Sequence, residues 1–190
     1  MAPEEEEPQN LRVLVADERK QYLEPIGEAV RRMGHEICAI EVDTGRVGRA
    51  TLEHRPDIAI VALHEDSAHA LGLITEIVDE ATCPVCLLAP EADRDFLAEA
   101  ARRGVFAYLD STEPNELAGG IDVAIQRFHQ FRELLGAFQR RARIERAKGL
   151  LMERHGIADD EAFERIRGSA RGSRRTLMDV VDELLASSPG

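Results

Sequence analysis

The sequence predicts an α/β domain, a doubly wound five-stranded parallel sheet, followed by one long helix, or two in tandem, and a small helical module. Three observations predict it. Between residues 11 and 126, five apolar runs of strand length alternate with amphipathic stretches of helical spacing, the pattern of a parallel sheet covered on both faces. After Pro114 no proline occurs until the C-terminal tail, and apolar residues recur at helical spacing as far as His155. Two short amphipathic stretches then close the chain.

The strands read in order as Leu11–Ala16, Glu36–Ile40, Ile58–Leu63, Pro84–Leu88 and Val105–Leu109. Ile58–Leu63 is apolar throughout, as expected of a strand buried on both faces. The helices between them are Tyr22–Met33, Val47–His54, Ala68–Glu80 and Asp95–Arg103. Gly34 and Gly104 follow the first and last of these as stop signals, and Pro56 closes the second. Pro114 suits the first turn of the long helix. Its apolar positions, Leu117, Ile121, Ala124, Phe128, Phe131, Leu135, Phe138 and Ala142, step alternately by 4 and 3 residues. That is the 3.5-residue period of a coiled-coil seam. Its second part, Phe128, Phe131, Leu135 and Phe138, outruns the sheet and needs an apolar cover. A second copy of the chain is the simplest cover; the C-terminal module of the same chain is the other. Asp159 or Asp160 is placed to cap the next helix, and Ser173 the last.

The domain boundaries that follow are an acidic tail at 1–10, the α/β domain at 11–126, a helical linker at 127–142 and a three-helix module at 143–190. Among the 190 residues, 44% are apolar and 32% charged, an ordinary globular balance outside the tail. The tail, MAPEEEEPQN, has no apolar core and is not a signal peptide; it reads as disordered. No apolar run approaches the ~20 residues of a membrane helix. Three cysteines and no leader fit a reduced, cytoplasmic protein.

The net charge is −12, but it is unevenly spread. Residues 1–125 hold 11 basic and 26 acidic side chains, residues 126–190 hold 13 and 10, and Gln139–Leu177 holds 11 and 6. An anionic partner is therefore expected on the basic C-terminal module. Arg141, Lys148 and Arg154 share a helical sector there. Arg174 and Arg175 read as opening the last helix, where free N–H groups favour anions. Gly149, beside Lys148, leaves room for a close approach.

The run Ile144-Glu145-Arg146-Ala147-Lys148-Gly149-Leu150-Leu151-Met152-Glu153-Arg154-His155-Gly156 continues through Asp160-Glu161-Ala162-Phe163 to Ser173-Arg174-Arg175-Thr176-Leu177. It closely resembles the ANTAR domain, an RNA-binding transcription-antitermination module. Leu11–Gln126 resembles the receiver domain of bacterial response regulators, whose sheet is flavodoxin-like. The resemblance implies a homodimer that holds paired hairpins of nascent mRNA, with Ala147, Lys148, Gly149, Arg174 and Arg175 facing the RNA. Arg146, Arg167 and Arg171 are further candidates. Duplex DNA is the competing ligand.

The receiver resemblance breaks down where phosphoryl chemistry belongs. The acidic pair is present as Asp17-Glu18. The phosphoacceptor place falls on Ala62, the Ser/Thr place on Ala89 and the Lys place on Ser111, while Tyr108 keeps the aromatic place. An alanine accepts no phosphoryl group, so this half reads as a pseudo-receiver. Control is then expected without phosphorylation, from a regulatory protein partner on this half, from concentration-driven dimerisation, or not at all. Glu65 and Asp66 are the carboxylates left nearby as off-register substitutes.

Cys83-Pro84-Val85-Cys86 is a C-x-x-C on a strand. Residues three apart on a strand face opposite sides, so the pair reads as core thiols and not as a metal site. No histidine spacing suggests a metal, and no cofactor motif or complete catalytic set is legible, so the chain reads as a non-enzyme. A protein-interaction module that docks a partner on the pseudo-receiver is the alternative function.

Overall fold

Along the first strand, Val13 and Val15 enter one apolar core while Leu14 and Ala16 enter another. That alternation is what a strand with helices on both sides must show. A computed structural model describes residues 10–63, 67–90 and 92–187. The strands are β1 (Arg12–Asp17), β2 (Glu36–Glu41), β3 (Ile58–Ala62), β4 (Val85–Leu88) and β5 (Ala107–Leu109). The helices are α1 (Leu23–Arg32), α2 (Val47–His54), α3 (Ser67–Glu80), α4 (Arg94–Arg102), α5 (Pro114–His155), α6 (Asp159–Ser173) and α7 (Leu177–Ala186). The chain forms two compact units, Met1–His129 and Gln130–Gly190.

The sheet of the first unit is parallel throughout, in the order β2-β1-β3-β4-β5. This is the doubly wound, flavodoxin-like order. One core lies beneath α1 and the start of α5, where Ile26, Val30, Leu117 and Ile121 cover Val13, Val15, Ile58 and Ile60. The other lies beneath α2 and α3, where Val47, Ala50 and Ile77 cover Leu14, Ala59 and Val61. Gly120 lets α5 lie on the sheet, since a Cβ there would run into the Leu109 side chain. Gly104, at φ 101°, ends the turn after α4 in a backbone conformation that other residues rarely adopt.

Cys83 and Cys86 fall in different cores, one on each side of the sheet. Burial pushes both thiols up to about 12, so neither is a nucleophile at neutral pH.

Several local expectations need correction. Two strands are shorter than their apolar runs: Pro84 precedes β4, and β5 begins only at Ala107. Neither Asp159 nor Asp160 caps α6; its cap is Ala158, without a side-chain bond. The Asp159 carboxylate is drawn instead to Lys148, at 2.7 Å. Ser173 does not cap α7, because it is the last residue of α6 and its hydroxyl donates back to the Ser169 carbonyl at 2.7 Å. The cap of α7 is Thr176. Its hydroxyl accepts from the Asp179 N–H while the Asp179 carboxylate accepts from the Thr176 N–H, a reciprocal capping box. The Thr176 hydrogen bonds hold the Asp179 carboxyl below its ordinary value. The tail, apart from Asn10, and the carboxylates of Glu65 and Asp66 lie outside the described residues.

Candidate nucleic-acid interface

The second unit has its own apolar core. Ala147 and Leu151 of α5 meet Ala162, Ile166 and Ala170 of α6 and Val180 and Val181 of α7. A helix advances 100° per residue, so the face of α5 bearing Ala147 and Leu151 turns inward and the face bearing Arg146 and Gly149 turns outward. Ala147 is 0% exposed. Its side chain is core, and the expectation that it faces a ligand does not hold. Gly149 is exposed, and a Cβ built there would meet nothing within 4 Å. The fold itself therefore gives no packing reason for a glycine in mid-helix, where it costs ~1 kcal/mol relative to alanine.

Lys148 goes against its sequence reading most clearly. It is 7% exposed. Its ammonium donates to both carboxylate oxygens of Glu145, at 2.9 and 3.1 Å, and lies 2.7 Å from Asp159. These bonds, Asp159 first, hold the ammonium above the ordinary lysine range. The sector of Arg141, Lys148 and Arg154 is thus not a row of free cations: Lys148 is neutralised, and Arg154 donates to the Ser187 carbonyl at 3.2 Å.

Arg174 and Arg175 do not open the last helix. Arg174 is the left-handed C-cap of α6 at φ 55°, and the N–H groups of both residues bond back to carbonyls of α6. The free-amide argument for anion binding does not hold at these two residues. Arg175 also pairs with Glu183 and donates to the Asp179 carbonyl at 3.1 Å. Arg167 pairs with Glu164 at 3.1 Å, and Arg143 with Asp182. By contrast, the guanidinium groups of Arg146, Arg165, Arg171 and Arg174 make no hydrogen bond or ion pair among the described residues. Arg165 is not among the residues the sequence pattern singles out. Its exposed position on the flank of α6, beside the buried Ala162 and Ile166, was the available signal.

On α5, Phe131, Leu135 and Phe138 of the expected seam are exposed, with Leu134 beside them. Phe128 differs, because it packs edge-to-face on Phe106 of its own unit, ring centres 5.2 Å apart.

At the sheet end, Asp17 and Ala62 are register partners on neighbouring strands. Asp17 is fully buried, and its carboxylate accepts from the Arg19 N–H at 3.0 Å and the Tyr22 N–H at 2.7 Å. Glu18 accepts from the Thr44 hydroxyl at 2.6 Å. Ala62 is a methyl group in the core. Ala89 is half-buried between α3 and α4. The Ser111 hydroxyl accepts from the Glu113 N–H at 2.9 Å, shaping the turn into α5. The acidic pair is thus engaged in local bonds that fix the loops after β1 and β2. Among the described residues no three His, Cys, Asp or Glu side chains converge on one point. No described helix is long and apolar enough to cross a membrane.

Comparison with known proteins agrees with both units. Residues 132–185 match the ANTAR domain family. The transcriptional regulatory protein PdtaR of Mycobacterium tuberculosis is 28% identical over 184 residues, covering 92% of this chain and 89% of that protein. The signal receiver domain of the response regulator NarL from Mycobacterium tuberculosis superposes with a TM-score of 0.54 at 16% identity, covering 63% of this chain and 98% of that one. The response regulator domain of Thermotoga maritima CheB gives 0.53 at 15% identity, covering 62% and 98%. These superpositions show the fold of the first unit. The second unit carries an ANTAR domain, and the first unit has the fold of a receiver domain.

Proposed function

We propose that this chain is an RNA-binding regulator of transcription antitermination, acting as a homodimer on hairpins of nascent mRNA. It does no chemistry on the RNA; binding free energy alone shifts which hairpins form. The observation that carries the reading is the unneutralised charge of the second unit. Arg146, Arg165, Arg171 and Arg174 have no acidic partner among the described residues, whereas Arg143, Lys148, Arg167 and Arg175 each have one. Unpaired surface cations favour a polyanion, because binding releases its condensed counterions. Gly149, exposed beside Arg146 and not required by packing, supports close approach of a strand there.

The dimer rests on α5. Leu134 and Phe138 are 72% and 73% exposed, and with Phe131 and Leu135 they form one stripe that a second copy would cover. The mutant Phe138→Glu is expected to be monomeric in sedimentation, and a dimer that survives it would remove α5 as the seam.

In this reading the first unit works without phosphorylation. Ala62 offers no acceptor, and Asp17 and Glu18 are held by the chain's own donors. A switch moves only by the differential affinity of a ligand for its two states. A stoichiometric phosphoprotein formed from acetyl phosphate and Mg²⁺ would overturn this part. A second reading, a protein-docking role for the first unit, is favoured by Tyr108. It is 57% exposed beside a cavity of about 240 Å³ lined by Leu97, Phe106 and Arg127.

The deciding measurement is affinity for a two-hairpin RNA against scrambled RNA and duplex DNA of the same sequence, across a salt series with no phosphodonor. Hairpin-selective binding that weakens with salt is expected. Equal affinity for all three ligands would reject the RNA reading.

A further inference from the structure

Lys148 stands within the ANTAR stretch, yet it is built like an internal tie. An ammonium has three N–H donors and no acceptor. Three carboxylate oxygens lie within hydrogen-bond distance of this one: two of Glu145, at 2.9 and 3.1 Å, and one of Asp159, at 2.7 Å. The two oxygens of Glu145 sit too close together to take separate N–H groups of a tetrahedral ammonium, so Glu145 and Asp159 occupy two of the three donors, and burial shuts in the third. The local sum of charge is also wrong for RNA, with one cation between two carboxylates giving a net negative cluster. The side chain is 9% exposed, while both carboxylates are more than half exposed. An approaching phosphate would therefore meet the acids first.

The same bonds join two elements. Glu145 lies on α5, three residues before Lys148, and Asp159 is the first residue of α6. The α6 cap, Ala158, offers no side-chain bond, so the Asp159–Lys148 pair is the polar tie between the start of α6 and α5, beside the apolar packing of Ala162 on Ala147. Arg165 and Arg171 are carried on α6, and Arg174 at its end; Arg146 and Gly149 are carried on α5.

We propose that Lys148 is a positioning residue: through Asp159 it fixes α6 against α5, and so sets the arginines of α6 relative to Arg146 and Gly149, without touching RNA itself. This rests on the RNA reading above.

The two roles predict opposite signs for one substitution. If Lys148 contacted RNA, Asp159→Asn would free an N–H donor and remove a negative charge, and affinity would rise. If Lys148 positions α6, Asp159→Asn lowers affinity as Lys148→Met does. Asp160→Asn is the control, since it removes the same charge one residue along from a side chain with no bond to Lys148. The experiment measures two-hairpin RNA affinity for the full chain, its three single variants and the double variant Lys148→Met/Asp159→Asn. The temperature is one at which circular dichroism shows all five folded. We expect Lys148→Met and Asp159→Asn each to weaken binding about fivefold, and the double variant to be no worse than either, as for a coupled pair. Asp160→Asn is expected to leave affinity unchanged or raise it. A rise with Asp159→Asn, or no loss with Lys148→Met, would overturn the inference while leaving RNA binding intact. A wild-type chain that does not prefer hairpin RNA would overturn the functional reading, and this inference with it.

Discussion

The sheet end of the first unit and the outward face of the second handle polar side chains in opposite ways. At the sheet end, Asp17, Glu18 and Ser111 spend their oxygens on the chain's own N–H and hydroxyl groups, and Ala62 presents only a methyl group. On the second unit, Arg146, Arg165, Arg171 and Arg174 keep their donors free among the described residues. A site that binds an outside ligand must leave some hydrogen-bonding capacity unspent. By that measure the polar groups at the sheet end serve the loops of the first unit, and the outward face of the second unit is the candidate interface.

The strongest challenge to this contrast is to restore a carboxylate at the sheet end. Ala62→Asp places a charge in a fully buried position beside Asp17. It is expected to cost roughly 3 kcal/mol of stability, read by denaturant unfolding, because the new charge has no partner. A stable variant that acquires phosphorylation from acetyl phosphate would show that the centre is still intact. Next in size, the triple variant Arg146→Ala/Arg171→Ala/Arg174→Ala should weaken hairpin binding by about 100-fold, at roughly 1 kcal/mol for each arginine–phosphate bond removed, and flatten the salt dependence. Wild-type affinity would move the interface off this face.

Smaller again is the capping box. Thr176→Ala should lower stability by about 1 kcal/mol. It should also remove part of the acid sensitivity. The lowered folded value of Asp179 means that its stabilisation is complete above the ordinary aspartate range and is lost as pH falls through the folded value. A Thr176→Ala chain with unchanged acid unfolding would contradict this. The smallest expected effect is at the sheet cysteines. Cys83 and Cys86 should resist a thiol reagent at neutral pH in the native chain and react once it is unfolded, as tryptic mass mapping would record.

The first unit's fold was almost wholly legible because its signals are local and periodic. Continuous burial of Ile58–Ala62 and the stops at Gly34 and Gly104 follow from strand and helix geometry; Cys83 and Cys86 do fall in different cores, although Cys83 lies before β4 and outside the strand's alternation. The charge asymmetry was legible too, since it needs only counting. The second unit's site was legible in part. Glu145 is three residues from Lys148 and could be paired on paper. Asp159 belongs to another helix, however, and its bond to Lys148 requires knowing how α6 returns against α5. The same tertiary fact diverts Asp159 from capping duty. Arg174 and Arg175 were misplaced because the cap of α7 is Thr176, three residues beyond the expected Ser173. At a helix end, a shift of that size changes an amide from free to bonded.

Arg174 carries a consequence of its own. Helices commonly finish on a glycine in the left-handed conformation, and α6 finishes on an arginine at φ 55°. Glycine there would relieve about 1 kcal/mol of backbone strain. A population of variants screened for heat resistance alone should therefore drift towards Arg174→Gly, becoming harder to melt and, on the proposed function, weaker in binding RNA. On the proposed function, robustness and recognition compete at this one residue. The arginine's persistence under selection for binding, and its loss without that selection, would be a readable record of what the second unit is for.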